Sequence, residues 1–385
     1  MNSTFTRWGT LLLLVVLVTQ YGEAIPAFAR KYNMSCTTCH APIPRLKPYG
    51  DEFAGHGFKL PDQEPARYTR ETGDDQLLLL REIPLALRLE GYVRWQPQTA
   101  GRSDLQTPYL LKILSGGSIT RDISYYFYFF FSERGEVAGI EDAFVMFNNL
   151  FGTDLDLYVG QYQICDPLFK RELRLTLEDY QIYRTRPGSS GIDLTYDRGV
   201  MLTYSLPTHT DITVELLNGS GIGPADGSRN FDNDKYKNGM VRVSQDLVDG
   251  VRIGGFGYYG KEEEGGIINT MWMAGPDLSL TLEPLELNIQ YLERRDDDPW
   301  FTFATRKTIT RGGFGELIYT PEGDNGKWYA VALYNWLEVP QFTKYSSATG
   351  HFGYLLARNF RLIGEYAYDF EAKANKFSVG FVSAF

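Results

Sequence analysis

From about residue 84 to its C-terminus the chain alternates apolar and polar residues with a period of two, and the polar positions carry charge in mid-run. Successive side chains of a strand point to opposite faces, so each such run has one dry face and one wet face. In 85–95, Leu85, Leu87, Leu89, Gly91, Val93 and Trp95 oppose Ala86, Arg88, Glu90, Tyr92 and Arg94. Leu285, Leu287, Ile289 and Tyr291 oppose Glu286, Asn288 and Gln290; Leu362, Gly364, Tyr366, Tyr368 and Phe370 oppose Arg361, Glu365 and Asp369. In a soluble sandwich the wet face is the outside. In a barrel through lipid it is the lumen.

Connection lengths favour the barrel. The pattern predicts strands near 84–96, 107–117, 121–132, 137–148, 153–164, 199–206, 210–218 and 238–248, then near 250–260, 267–276, 284–294, 311–319, 327–338, 350–358, 360–371 and 376–385. That is about sixteen, an even number, with lengths near the roughly 9–11 residues a tilted spanning strand needs. Short turns such as Thr208-His209-Thr210, Val248-Asp249-Gly250 and Arg358-Asn359-Phe360 fall at one end. Long polar connections (97–106, 165–198, 219–237, 295–310 and 339–349) fall at the other. A sandwich has no reason to segregate them. The final Phe377–Phe385 stretch alternates and ends on an aromatic, which resembles the terminal-strand signature of outer-membrane proteins. The expected fold is all-β: a transmembrane antiparallel barrel over 84–385, behind a small N-terminal segment over 25–83. Aromatic residues at 15% and Gly at 39 of 385 suit it, and a soluble α/β enzyme would carry more Ala and Leu. A net charge of −10 without basic stripes argues against nucleic acid as a partner.

The first 24 residues read as an export signal: Arg7, an apolar core from Leu11 to Val18, and the small-x-small site Gly22-Glu23-Ala24. No later apolar run approaches the roughly 20 residues of a spanning helix, so insertion must use strands. Bacterial outer membrane is the expected location.

Cys36-Thr-Thr-Cys39-His40 is the C-x-x-C-H pattern of covalent haem c attachment. Thiols three positions apart bond the two vinyl groups on one porphyrin edge, and His40 follows as the proximal iron ligand. A zinc site would want a second Cys/His pair, and a thioredoxin-like redox pair would not suit Pro42, Pro44 and Pro48. The distal position has three readings: His56, within Phe53-Ala-Gly-His-Gly-Phe58, where flanking glycines leave room for a flat macrocycle; Met34; or an open site. His209 and His351 read as surface residues and Cys165 as incidental. The 41–83 stretch is too polar to bury much core, so a haem against Tyr49, Phe53 and Phe58 would supply most of its order, and it should dock elsewhere. The third long connection, 165–198, is a candidate constriction, with a short helix over 175–183 and Arg171, Arg174, Glu178, Asp179, Arg184 and Arg186 at the neck. Glu262–Glu264 and Asp296–Asp298 read as solvated acidic loops.

Residues 25–62 resemble a family. Ile25-Pro-Ala-Phe-Ala-Arg30 before Met34-Ser-Cys-Thr-Thr-Cys-His40, then Pro44-x-Leu46-x-Pro48-Tyr-Gly50 and Phe58-Lys-Leu60, are similar to the fused monohaem cytochrome c–porins of the outer membrane, the group that includes iron oxidases of iron-oxidising bacteria. The resemblance implies an electron-transfer protein: electrons pass from extracellular Fe(II), or another outside donor, through one haem in the pore to a periplasmic cytochrome. A bilayer core is about 30 Å thick, so a haem on a periplasmic tether could not bridge it, and the segment should plug the lumen, docked by Arg88, Glu90 and Arg94. The alternative is a diffusion porin whose haem segment hangs in the periplasm with some other redox or sensory role.

Overall fold

The computed structural model describes residues 27–60, 69–70, 72–74, 76–77, 79–302, 306–340 and 342–385. The expected signal, 1–24, lies outside the described residues. Sixteen strands close into one barrel. They are β1 (Leu85–Trp95), β2 (Ser103–Ser118), β3 (Ile123–Glu133), β4 (Gly139–Leu150), β5 (Leu155–Gln163), β6 (Tyr196–Leu206), β7 (Thr210–Leu217) and β8 (Asn238–Val248). They continue as β9 (Val251–Glu264), β10 (Ile267–Leu282), β11 (Leu285–Asp296), β12 (Thr308–Tyr319), β13 (Trp328–Val339), β14 (Thr343–Ala357), β15 (Phe360–Asp369) and β16 (Ala374–Ala384). Each pairs antiparallel with its neighbours in sequence, and β16 closes on β1 from Phe377–Trp95 to Ala384–Arg88. The last residue completes the seam, with Phe385 N–H donating to Leu87 O (2.8 Å) and Leu87 N–H to Phe385 O (2.6 Å).

The two faces are sorted as the alternation predicts. Val93, Trp95, Val214, Val243, Ile289, Leu317, Phe352 and Val379 point outward and are exposed. Glu90, Glu215, Arg242, Asn288, Gln290, Glu316 and Glu365 point inward and are buried. Water would penalise that arrangement; a lipid surround and a polar lumen favour it.

Short turns (119–122, 151–154, 207–209, 249–250, 283–284, 358–359) gather at one end and the longest loops (164–195, 218–237) at the other. Two expectations are corrected. The 339–349 loop is mostly strand, because β14 starts at Thr343: its lumen-facing Ser347 and Thr349 hide the hydrophobic period while its backbone pairs in register with β13. The short-turn end also carries one longer connection, 320–327, with a 3-10 turn at Gly323–Asn325.

Ahead of the barrel come α1 (Ala27–Tyr32), a 3-10 turn (Cys36–Thr38) and α2 (Pro48–Gly55). A two-residue ladder joins 69–70 to 79–80. The helical segment lies inside the barrel at the short-turn end.

Removing 374–385 should leave β1 and β15 with unpaired edges in lipid, so the truncated protein is expected to lose the heat-modifiable gel mobility of a closed barrel.

Candidate functional site

A helical turn puts residues i, i+3 and i+4 on one face, and Cys36, Cys39 and His40 occupy those positions. Ser35 caps the turn, its hydroxyl accepting from Thr37 N–H (3.3 Å), and His40 N–H donates to Cys36 O (2.9 Å). The imidazole is oriented by its own loop: Nδ1 lies 2.7 Å from Pro44 O. A carbonyl only accepts, so Nδ1 carries the hydrogen and Nε2 keeps a free lone pair, the tautomer of a metal-binding histidine. Lys47 N–H donates to Cys39 O (2.9 Å), and a Cβ at Gly50 would collide with that same carbonyl, so only glycine lets α2 pack so closely on the loop. Burial pushes the thiols of Cys36 and Cys39 above their ordinary range. It pushes His40 down against the pull of Pro44 and Arg45, which keeps the imidazole neutral at pH 7.

The barrel wall holds this segment. Phe58 stacks on Phe28 and on Tyr126 of β3, both at 5.1 Å, and Phe53 and Met146 complete a shared core. Arg361 of β15 donates to Ile43 O (2.7 Å), and Asn148 of β4 donates to Gly55 O (3.0 Å). Arg45 pairs with Glu286, Lys47 with Asp324, and Asp51 with Lys170 (3.7 Å). The expected docking residues are only partly involved: Arg88 and Glu90 form an ion pair with one another, although Arg88 also lines the chamber described next. Tyr49 is 41% exposed, so Phe53 and Phe58 take their order from the wall without it.

Above and beside the plug lies a chamber of about 1670 Å3 that reaches the short-turn mouth, larger than the roughly 300–1,000 Å3 of a small-ligand pocket. Cys36, Cys39, His40, Met34 and His56 all line it. His56 caps the C-terminal end of α2. Its flanking Gly57 (φ 71°) serves a different need from the one expected: a Cβ there would strike Ser124 and Asn148, so the glycine permits docking on the wall. Cys36, Cys39, His40, Met34 and His56 thus border one lumenal space.

Neither family models nor curated proteins match the sequence. Solved structures do. An anion-selective porin from Comamonas acidovorans aligns with TM-score 0.60 at 13% identity, over 79% of this chain and 99% of that one. Salmonella typhi OmpF, solved with daunomycin, gives 0.57 at 11%, over 79% and 97%. Pseudomonas putida OprB gives 0.55 at 11%, over 79% and 94%. The fold is a porin-type barrel.

In this porin-type barrel the connection 164–195 folds inward and crosses to the far wall. Tyr180 stacks on Phe314 (4.1 Å) and donates to Glu316 (3.1 Å), and Tyr183 donates to Gln290 (3.1 Å). Arg294 of β11, fully buried, grips Asp296 (2.7 Å) and Ile192 O (2.5 Å). Together with Met240, Phe256, Met271, Met273 and Leu333 the loop forms an apolar core across the lumen. The expected helix over 175–183 is instead a 3-10 turn at Gln181–Arg184. Most of its arginines pair within the loop, Asp179 taking Arg171 at 2.8 Å and Arg184 at 3.5 Å and Asp193 taking Arg186 at 2.7 Å, while Glu178 reaches Lys376 on the wall at 2.6 Å. Cys165 is buried in this core and its thiol is pushed up by that burial, in keeping with an incidental role.

Other expectations are revised. His351 is not a surface residue: it is 3% exposed in the lumenal wall, because β14 begins earlier than its pattern suggests and carries the residue inward. The acidic stretches are not simply solvated. Glu262 and Asp296 both hold the Asn269 amide (2.9 and 3.0 Å), and Asp298 is buried beside them. His209 sits in a turn, as expected.

Trypsin should leave the Arg45–Leu46 bond uncut in the folded protein, and Arg361→Gln with Glu286→Gln should expose it; mass mapping of the fragments checks this. Burial raises Asp179, but Arg174, Arg171 and Arg184 hold it at about 2. Its pairing therefore contributes fully above the ordinary Asp value of about 4 and is lost as pH falls towards 2. Asp179→Asn would strand buried arginines at a cost of about 3–5 kcal/mol. Hydrogen exchange over 171–184 should rise in that variant at pH 7, and in the native protein only below about pH 4.

Proposed function

We propose that the protein is an outer-membrane cytochrome c–porin fusion that carries electrons across the membrane through one haem c held in the barrel lumen, and that it acts as an Fe(II) oxidase. The observation that carries the proposal is that Cys36, Cys39 and His40 line one chamber inside the barrel lumen, with Nδ1 of His40 held by the Pro44 carbonyl. A bound haem c supplies a one-electron Fe(III)/Fe(II) couple at that position. The chain does the rest. Cys36 and Cys39 would hold the group through their sulfurs, His40 would ligate its iron, and the Pro44 carbonyl holds the imidazole in place. His56 is assigned as the distal ligand and Met34 as its competitor, since both line the chamber. The apolar walls of Phe53, Phe58 and Tyr126 exclude water from one side.

The direction of transfer follows from the ends of the barrel. The plug opens towards the short turns, where a periplasmic cytochrome would accept electrons, and the far end faces the donor. Extracellular Fe(II) is the donor implied by the likeness of 25–62 to cytochrome–porin fusions. Export by the 1–24 signal would bring the chain to the haem-attachment machinery. The alternative of a diffusion porin with its haem segment free in the periplasm is poorly supported: residues 27–60 lie in the lumen, and the loop 164–195 packs an apolar core across the same space.

Protein matured with intact haem-attachment machinery should give a haemochrome spectrum of one haem per chain. Cys36→Ser with Cys39→Ser should abolish it. In proteoliposomes Fe(II) added outside should reduce the haem, and His40→Ala should end that reduction while the barrel still forms. A colourless wild-type protein, or a haem that outside Fe(II) never reduces, overturns the proposal. His56→Ala should shift the absorption of the ferric state, whereas a shift in Met34→Leu alone would move the distal assignment there.

A further inference from the structure

His351 is one of four histidines in the chain, and it has no part in the proposed haem attachment. It stands on β14 in a hydrogen-bonded chain running from the plug to the in-folded loop. Arg361 donates to Ile43 O (2.7 Å), three residues beyond His40, and to the Tyr329 hydroxyl (2.5 Å). Tyr329 meets His351 Nε2 at 3.4 Å, and His351 Nδ1 lies 2.9 Å from Glu365 Oε2. Glu365 also accepts from the backbone N–H groups of Leu177 (2.6 Å) and Glu178 (2.9 Å).

The donors settle the protonation pattern. Glu365 accepts from N–H groups with both oxygens, so Nδ1 of His351, which faces one of those oxygens, carries a hydrogen. Arg361 has only hydrogens to give, so the Tyr329 oxygen accepts from it and the Tyr329 hydrogen is left to face Nε2. His351 is therefore a neutral imidazole, one proton short of a cation, already held against a carboxylate that would stabilise that cation. The other charges near the pair are Arg361 on the same wall, Arg88 on β1, which pairs with Glu90, and Arg358 and Asp324, which line the cleft beside Tyr329. Glu178 turns away to Lys376 (2.6 Å) and Tyr345 (3.0 Å). A cleft shared by Tyr329, His40 and Pro42 holds about 10 Å3, which is roughly the space of one water molecule.

From this arrangement we infer that uptake of an electron at the plug is coupled to uptake of a proton at His351. The inference rests on the haem reading above. Extracellular Fe(II) gives up one electron and becomes Fe(III), and the plug gains one negative charge. Tyr329 passes its hydroxyl hydrogen to Nε2, forming an N–H bond, and regains a hydrogen from water. The net change is one electron and one solvent proton gained, with Tyr329 restored and His351 cationic beside Glu365. When the electron leaves for the periplasmic acceptor, the proton returns to water. His351 is a positioning residue for charge and does not touch the reacting iron.

Two measurements on the detergent-purified full chain test it: protons taken up per electron, followed with a pH-indicator dye during reduction, and the haem potential titrated against pH. Wild type should take up close to one proton per electron within the pH range where His351 titrates, and its potential should fall as pH rises there. His351→Gln, a neutral polar side chain of similar length that cannot take up a proton, should lose that uptake and flatten the potential. Glu365→Gln should move the uptake to lower pH, and it decides the matter if the first variant does not fold. Equal uptake in wild type and variants, or none in wild type, overturns the coupling while the conduit reading stands. A haem-free wild type overturns both.

Discussion

In the hydrocarbon of a bilayer no water is present to satisfy a peptide group, so every strand must be paired on both edges. That constraint makes the pairing of β16 with β1 the contact on which the other features of this protein depend. Closure gives the sheet an inside and an outside with different solvents. The outside is met by Val, Leu, Ile and aromatic side chains. The inside is free to hold Glu, Arg, Asn and Gln, and it does so at every level of the wall.

A polar lumen solves a second problem. The N-terminal segment has too few apolar residues to fold on a core of its own. Its aromatic residues Phe28, Phe53 and Phe58 share a core with Tyr126 and Met146 of the wall, and its loop carbonyls and charges are answered by Arg361, Asn148 and Glu286. From the other end the connection 164–195 fills the lumen with its own apolar core. What remains between them is a chamber bounded by the plug, the wall and the loop. Its size and its lining of sulfur and nitrogen donors follow from where those three pieces stop.

The likenesses to porins from Comamonas, Salmonella and Pseudomonas concern the barrel, at identities where only the fold is informative. They leave the plug's chemistry to be argued from its own residues. The chemistry argued here depends on three short-range facts: a turn that presents Cys36, Cys39 and His40 together, a carbonyl that fixes the His40 tautomer, and a glycine at position 50 that lets α2 close over the loop. The barrel contributes the lumenal wall on which the segment packs.

Much of this was legible in the sequence. Period-two alternation is a local property of the chain, so about sixteen strands and the inward and outward faces of most of them could be read directly, as could the C-x-x-C-H turn, whose motif spans five residues. Long-range placement could not. His351 looked like a surface residue because the hydroxyl-rich start of β14 breaks the apolar rhythm, and only pairing with β13 reveals that it faces inward. The partners of Arg45 and Ile43 lie hundreds of residues away on strands whose polar faces all look alike in one dimension. The sequence by itself determined a lipid-facing cylinder and the C-x-x-C-H turn, because both are written in spacing along the chain. Which wall residues hold the plug, how far the loop enters and what surrounds His351 were decided only when the cylinder closed, because closure is what brings opposite strands to face one lumen.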